Sequence, residues 1–138
     1  MDFQLSACFM PVHDHEAALG FYRDALGLKV LSDVEYDGMR WVAVSPPAQP
    51  ELQIVLESIG ACPDASAHDR ETIADLVAKG VLGRANFATE DCDAAFEQLA
   101  AAGAEVVQEP MDQPYGVRDC AFRDPSGNLV RISQAHVK

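Results

Sequence analysis

The sequence contains no long apolar stretch, and this absence bears on where the chain works. No hydrophobic run approaches the roughly eighteen residues that a membrane-crossing helix needs, and no charged-then-apolar leader opens the chain. We therefore expect a cytoplasmic protein with no membrane partner. With 138 residues, 49% of them hydrophobic, the chain suits one domain, residues 1–138, built around one core.

Basic residues are scarce. Ten Lys and Arg stand against 22 Asp and Glu, which gives a formal net charge of −12. Binding to nucleic acid or to anionic lipid requires clustered Lys and Arg, so we expect neither partner. The acidic balance permits a cationic small-molecule ligand, although an acid excess that keeps the protein in solution is the simpler interpretation.

Cysteine pairs at metal-binding or redox spacing are also missing. None of the four cysteines forms a Cys-x-x-Cys pair, and Cys8 and Cys120 stand within apolar, strand-like stretches. This pattern favours buried free thiols in a reducing compartment over disulfides or a zinc knuckle.

What the sequence does contain is an internal repeat. Four residue types keep the same spacing in both copies: Gly38, Arg40, Ala43 and Pro47, then Gly116, Arg118, Ala121 and Pro125. Upstream, Asp14 and Asp91 each open a helix-like stretch, where an Asp side chain can accept hydrogen bonds from the free N–H groups of the first turn. Because the unit occurs only twice, we expect a pseudo-symmetric domain and not a solenoid.

Each copy predicts the element order β-α-β-β-β, so the fold class is α+β. In the first half, residues 5–57, strands are expected at 5–12, 28–31, 39–44 and 51–57. In the second half, residues 83–133, they are expected at 84–89, 104–107, 116–123 and 129–132. The linker 58–82 carries a predicted helix at 69–80, and residues 109–114, with two prolines, are predicted to form a connector.

Histidine and tryptophan offer few candidate site residues. His13 and His15 lie at the start of the first helix, but i and i+2 positions diverge by about 200° in a helix, so we do not expect them to share a metal. His68 and His136 lie in the linker and the tail. Trp41, the single Trp of the chain, could line a cavity or plug one.

Two motifs carry a family resemblance. The chain has F-Y-x-x-x-L-G-L at residues 21–28 and D-P-x-G-N at 124–128, where Pro125 and Gly127 also predict a turn. With the two βαβββ units, these motifs resemble the vicinal oxygen chelate superfamily, which includes glyoxalase I, extradiol dioxygenases, fosfomycin-resistance enzymes and bleomycin-resistance proteins. The resemblance covers residues 5–133. It implies two modules that form a cupped, incomplete-barrel sheet around a cleft, and a homodimer that covers unpaired strand edges.

The metal-dependent members of that superfamily bind a divalent ion through four strand positions. In this chain the resemblance places those positions at Ala7, Val55, Arg84 and Arg131. Ala and Val have no lone pair to give to a metal, and Arg has donors but no acceptor. Glu57 lies on the same strand face as Val55, but it is a lone carboxylate. We therefore expect no metal and no other cofactor.

Arg84 and Arg131 would both point into the cleft. They could pair internally with an acid such as Glu57, in place of the ion, or bind an anionic group of a ligand, bidentately if it is a carboxylate. Arg40 and Arg118, which are repeat mates, are expected to brace the sheet or a dimer contact.

Three functions remain open. The leading hypothesis is a metal-free protein, similar to the bleomycin-resistance proteins, that binds a cationic or carboxylate-bearing small molecule. Its candidate ligand-binding residues are Arg84, Arg131, Glu57, Trp41, Phe87 and Phe122. The second is an enzyme of the superfamily, a lyase, isomerase or dioxygenase, with Glu57 as a base or with a metal on other ligands. The third is an interaction module whose cleft is plugged by Trp41, Phe87 and Phe122. No catalytic residue is identified.

Overall fold

Eight strands form two open, four-stranded sheets in the computed structural model, which describes residues 1–135; His136 lies outside the described residues. The first module contains β1 (Ala7–Val12), β2 (Lys29–Tyr36), β3 (Met39–Ser45) and β4 (Gln53–Ser58). The second contains β5 (Arg84–Ala88), β6 (Glu105–Asp112), β7 (Val117–Arg123) and β8 (Leu129–Ala135). Their orders are equivalent, β1-β4-β3-β2 and β5-β8-β7-β6. The predicted α+β fold of two βαβββ units is confirmed.

The helices follow the predicted order, but the linker helix begins at Ala67 and not at residue 69, because Ser66 and not Asp69 is its N-cap. They are α1 (His15–Leu19), which continues into a π-helical segment (Gly20–Ala25), then α2 (Ala67–Lys79) in the linker and α3 (Cys92–Ala101). Asp14 caps α1 and Asp91 caps α3, each accepting hydrogen bonds from first-turn backbone N–H groups. No helix within residues 1–135 combines the length and the apolar character needed to cross a bilayer.

Several strand boundaries differ from the predictions, most of all in β2 and β6, which run well past their predicted ends. The strand expected at 28–31 runs on to Tyr36, because Asp37 and Gly38, with φ of 52° and 75°, form a two-residue turn directly into β3. The connector expected at 109–114 begins inside β6. Pro110 is accommodated there because the pairing register with β7 shifts between Gln108 and Met111.

All four cysteines are free, but they are not equally buried. Cys120 and Cys92 are buried, whereas Cys8 and Cys62 are exposed. The expectation that Cys8 is buried was wrong. Cys8 lies on the same side of β1 as the buried Met10 and Val12, but at the end of the sheet, next to the exposed residues 1–6.

One apolar core joins the two modules. The side of each sheet that faces the helices contributes buried residues, among them Val42, Val44, Leu56, Phe122, Val130 and Ile132. Ala18, Leu19, Tyr22 and Ala25 of the first helix and its π-helical continuation are all buried, so one side of this segment faces the core.

The carboxylate of Asp124, in the β7–β8 turn, binds groups from both modules. Its Oδ1 accepts hydrogen bonds from the backbone N–H groups of Ser126, Gly127 and Asn128 at 2.9, 3.0 and 2.9 Å. Its Oδ2 accepts from the Tyr22 hydroxyl of the first module at 2.7 Å. Asp124 is only 4% exposed and Tyr22 is fully buried, so the charge is taken out of water against matching donors.

Asn128 and Ser126 extend this junction to β1. The Asn128 side chain donates from Nδ2 to Asp124 Oδ2 at 2.8 Å and to the Pro11 carbonyl at 2.7 Å. The His13 backbone N–H donates to Ser126 Oγ at 2.9 Å. The turn predicted from D-P-x-G-N is therefore present, and it also docks the modules.

Each module carries the same ion triplet on its helix side. Arg40 of β3 binds Asp33 of β2 through two nitrogens and Glu16 of α1 through one. In the second module, Arg118 of β7 binds Asp93 of α3 and Asp112 of β6. The two arginines therefore brace the sheet against its helix, and their hydrogen bonds with these carboxylates lower the pKa of Asp33 and Asp93.

Tyr22→Phe should destabilise the protein by about 1.5–3 kcal/mol, because it removes a buried hydrogen bond to a charged group. Urea unfolding would measure the change. Tyr36→Phe is the control, since Tyr36 is 82% exposed and should change stability by less than about 0.5 kcal/mol. Equal effects of the two variants would show that Asp124 does not depend on Tyr22.

Stability should also fall at alkaline pH through Tyr22. Burial, reinforced by the nearby Asp124 carboxylate, raises the pKa of Tyr22 above its ordinary value. Above pH of about 10 the unfolded chain releases this proton while the folded chain keeps it, so unfolding becomes easier. The stability difference between wild type and Tyr22→Phe should therefore shrink above pH of about 10 in urea titrations. A stability difference between the two proteins that stays constant up to pH of about 11 would contradict the raised pKa of Tyr22.

Candidate functional site

The side of each sheet that faces away from the helices is the candidate site. On the first sheet we call this side the first outer face and define it by Phe9, Met39, Trp41, Val55 and Glu57. Strand pairing places Phe9 opposite Val55 and Pro11 opposite Glu57, so these side chains share one side. Phe9, Met39 and Trp41 are 54%, 47% and 44% exposed. Large apolar groups are thus presented to solvent together.

A pocket of about 320 Å3 lies on the first outer face. Its lining includes Tyr36, Asp37, Met39, Trp41, Val55 and Glu57. Phe9 packs edge-on against the Trp41 ring, with the ring centres 6.1 Å apart and the planes at 79°. The pocket therefore has an aromatic wall, an aliphatic floor and two carboxylates at its margin. Its volume lies at the lower end of the range for small-molecule sites.

The equivalent side of the second sheet is polar. We call it the second outer face and define it by Arg84, Asn86, Gln108, Asp119 and Arg131. Asn86 lies opposite Arg131 across β5 and β8, and Ala121, two residues after Asp119, lies opposite Arg131 across β7 and β8. Arg131 Nη1 donates to Gln108 Oε1 at 3.0 Å and lies 3.4 Å from Asp119 Oδ2.

Asp119 is only 1% exposed, yet it is held as a carboxylate. Gln108 and Gln113 donate to its Oδ1 at 2.7 and 2.9 Å, and the Tyr115 hydroxyl lies 3.5 Å from its Oδ2. Burial by itself would raise the pKa of Asp119. The donated hydrogen bonds and the charge of Arg131 outweigh burial, so the pKa lies below its usual value.

The two outer faces have diverged at matching positions of the repeat. Phe9, Trp41 and Val55 in the first module correspond to Asn86, Asp119 and Arg131 in the second. Each pair occupies the same place in its sheet, yet the first module has apolar side chains where the second has polar ones. The faces therefore offer different chemistry on one scaffold.

The predicted ligand-binding residues do not all lie together. Trp41 and Glu57 share the first outer face, and Arg84 and Arg131 share the second. Arg131 does pair with an acid, but its partner is Asp119 of its own module and not Glu57.

Phe87 and Phe122 lie on the helix side, away from both outer faces. Phe122 is fully buried, with its ring 5.4 Å from that of Phe96 in α3. Phe87 packs against the core and lines a separate pocket of about 240 Å3 with Leu26 and Pro46. Their expected place in the cleft, whether as lining or as a plug, is corrected, because their strand positions alternate with those of Ala121 and Asn86.

The four positions used for metal binding in the superfamily do not fit a metal here. Ala7, Val55, Arg84 and Arg131 lie on the outer faces, but none has an atom that can coordinate a cation. Among residues 1–135, no three His, Cys, Asp or Glu side chains are grouped as a metal site. His15 and His13 instead use their Nε2 atoms against the Leu56 and Ala74 carbonyls, at 2.8 and 3.2 Å.

The buried thiols are poor nucleophiles. Burial raises the pKa of Cys120 to about 12, and burial likewise raises that of Cys92. Both thiols lie in the core, so neither contributes to a site on an outer face.

Sequence reasoning missed Phe9, Met39, Asp119 and Gln108. Two signals were available. The Asp37-Gly38 pair between alternating residues indicates a hairpin that places Met39 beside Trp41 on one side. The repeat makes Asp119 the counterpart of Trp41. Gln108 had no such signal, because its place depends on the irregular register of β6.

Known proteins resemble this chain over nearly its full length. The structure named UcmS2 is 34% identical, covers 98% of this chain and 100% of its own, and superposes with a TM-score of 0.88. TnmS3, an antibiotic binding protein from Streptomyces sp. CB03234, is 25% identical, with coverage of 98% for both chains and a TM-score of 0.75. The uncharacterized protein YurT of Bacillus subtilis (strain 168) is 29% identical over 124 residues, 89% of this chain and 92% of YurT.

A family model supports the same assignment. It matches residues 4–132, which include both modules, the linker and the D-P-x-G-N turn. The fold, the duplicated modules and this match agree with the motif resemblance. The chain belongs to the Glyoxalase/Bleomycin resistance protein/Dioxygenase superfamily.

Proposed function

We propose that the protein is a metal-free small-molecule-binding protein that works as a homodimer and holds its ligand in the cleft of its cupped sheets. The first outer face carries this proposal, because it exposes an aromatic pocket beside positions that cannot coordinate a metal. Contiguous exposed apolar side chains are typical of binding surfaces. The likeness to TnmS3, an antibiotic binding protein, favours the same class of function.

The pocket suits a flat, largely apolar ligand. Trp41 offers an extended ring, which Phe9 holds edge-on, and Val55 and Met39 offer aliphatic contacts. Glu57 and Asp37 at the margin would interact with a polar group of the ligand. The four free cysteines are in keeping with a reducing compartment such as the cytoplasm.

Open strand edges support the homodimer. In the first sheet β1 and β2 are edge strands, and in the second sheet β5 and β6 are. Val106, Val107 and Met111 of β6 are 41–46% exposed. A second copy that covers these groups would protect the open strand edges and bury the exposed apolar side chains. Sedimentation equilibrium should give twice the mass of one chain, and a monomer at about 10 µM, well above the Kd of a stable dimer, would contradict the homodimer.

Trp41→Ala should weaken ligand binding about tenfold or more, since burial of an aromatic ring contributes about 1.5–3 kcal/mol. Isothermal titration calorimetry would measure the affinity of wild type and of Trp41→Ala for bleomycin and for three naphthalene compounds. These are 2-naphthoate, 2-naphthylmethylamine and 2-naphthalenemethanol.

Phe3→Ala is the matched control, because Phe3 is 88% exposed and does not line the pocket. It should leave the affinities unchanged. Wild-type protein that binds none of the four compounds at submillimolar concentration would count against ligand binding. Equal losses of affinity in Trp41→Ala and Phe3→Ala would show that the ligand does not bind in the Trp41 pocket.

Protein purified without chelator should contain far less than one divalent ion per chain by elemental analysis. Added Zn²⁺, Ni²⁺ or Mn²⁺ should leave Tm unchanged, because binding to the folded state alone would raise it. A stoichiometric ion would favour instead the second hypothesis, a metal-dependent enzyme of the superfamily.

A further inference from the structure

The second outer face contains a buried charged cluster that the fold alone does not require. The matching positions of the first module, Phe9, Trp41 and Val55, form the same kind of sheet with apolar side chains. In the second module, burial of the Asp119 carboxylate carries a desolvation cost that must be offset by the hydrogen bonds of Gln108, Gln113 and Arg131. A cluster that is costly and absent from the sister module indicates a role on the surface that it supports.

The cluster holds one nitrogen of the Arg131 guanidinium and leaves the other two without a hydrogen bond among residues 1–135. Nη1 alone makes its contacts, with Gln108 Oε1 and Asp119 Oδ2. Within residues 1–135, Nε and Nη2 have no hydrogen-bond partner, and the side chain is 28% exposed. Arg131 therefore presents a pre-oriented pair of N–H donors, the arrangement that binds a carboxylate bidentately.

A second guanidinium lies one strand away. Arg84 is exposed, and it lies on the same side of β5 and β8 as Arg131, because it pairs with Leu129, two residues before Arg131. No ion pair of Arg84 occurs in the part of the chain that the structure describes. Asn86, directly opposite Arg131, adds an amide donor. Arg84, Asn86 and Arg131 therefore share one side of two neighbouring strands, so an oxyanion on that side would have donors on both strands.

We propose that the second outer face binds a carboxylate of the ligand through Arg131, Arg84 and Asn86, with Asp119 and Gln108 as positioning residues for Arg131. This inference rests on the proposed function, and it narrows the ligand to an apolar aromatic body that carries a carboxylate. The net charge of −12 repels anions at long range. Two guanidinium groups at the site are therefore needed to outweigh this repulsion and attract a carboxylate.

The test compares three probes that share one ring and differ in charge: 2-naphthoate, 2-naphthylmethylamine and 2-naphthalenemethanol. Calorimetry with the full chain should show that wild type binds the carboxylate about tenfold or more tightly than the alcohol. Arg131→Gln should lower the affinity for the carboxylate to that for the alcohol, so that their ratio falls to about one, while the affinity for the alcohol stays the same. Arg84→Gln, at an exposed position without an ion pair in residues 1–135, should reduce the ratio without a risk to folding.

Two more variants separate positioning from charge. Arg131→Lys keeps the positive charge but loses the paired N–H donors of the guanidinium, so the ratio of carboxylate affinity to alcohol affinity should fall. Asp119→Asn should lower the ratio as well, whereas a purely structural role of Asp119 would weaken the carboxylate and the alcohol equally. Arg23→Gln is the control, because Arg23 pairs with Asp24 at the surface, away from both outer faces, and it should leave the ratio unchanged.

The outcomes distinguish the two proposals. Equal binding of all three probes to wild type, or a ratio that survives both Arg131→Gln and Arg84→Gln, would overturn the carboxylate site and leave ligand binding standing. Tighter binding of the amine would also overturn it. If wild type binds bleomycin but none of the three naphthalene probes, the carboxylate site fails and ligand binding stands. If wild type binds none of the four compounds, the proposed function fails, and this inference fails with it.

Discussion

One buried carboxylate, that of Asp124, holds the two modules in a single arrangement. It accepts three backbone hydrogen bonds of its own turn and one from Tyr22 of the other module, and Asn128 links it to β1. A buried charge tolerates few geometries, because every donor must be in place at once. The apolar core supplies most of the attraction, and this junction determines how the halves meet. The outer faces, and any site on them, depend on that arrangement.

The duplication has kept its scaffold and changed its surfaces. Arg40 and Arg118 each bind an acid on a helix and an acid on a neighbouring strand, so the bracing role is kept in both modules. The acid bound through two nitrogens is Asp33 of the strand in the first module and Asp93 of the helix in the second. On the opposite side, Trp41 corresponds to Asp119 and Val55 to Arg131. Side chains that hold a sheet against its helix are constrained by packing, whereas those on the outer faces are free to acquire separate chemistry. The two modules are therefore one framework with two different surfaces.

The repeat and the capping residues made the fold predictable from sequence, because they act over short distances. The element order, the Asp14 and Asp91 caps and the turn at Asp124 are all confirmed. Which side of a strand faces the helices is decided by packing at long range, so Phe122 was placed on the wrong side. Likewise, the acid that pairs with Arg131 could not be predicted, since it depends on strand register and on the irregular pairing of β6.

The Tyr22–Asp124 hydrogen bond also has a consequence for the order of folding. It joins positions 102 residues apart, whereas β2 and β3 meet across a two-residue turn. Closing a long loop costs more chain entropy than closing a short one, so we expect hairpins to form first and the modules to dock last. Until docking, the apolar side chains that each module packs against the other remain exposed. We therefore expect a newly synthesised chain to expose these apolar side chains to other proteins before its modules dock.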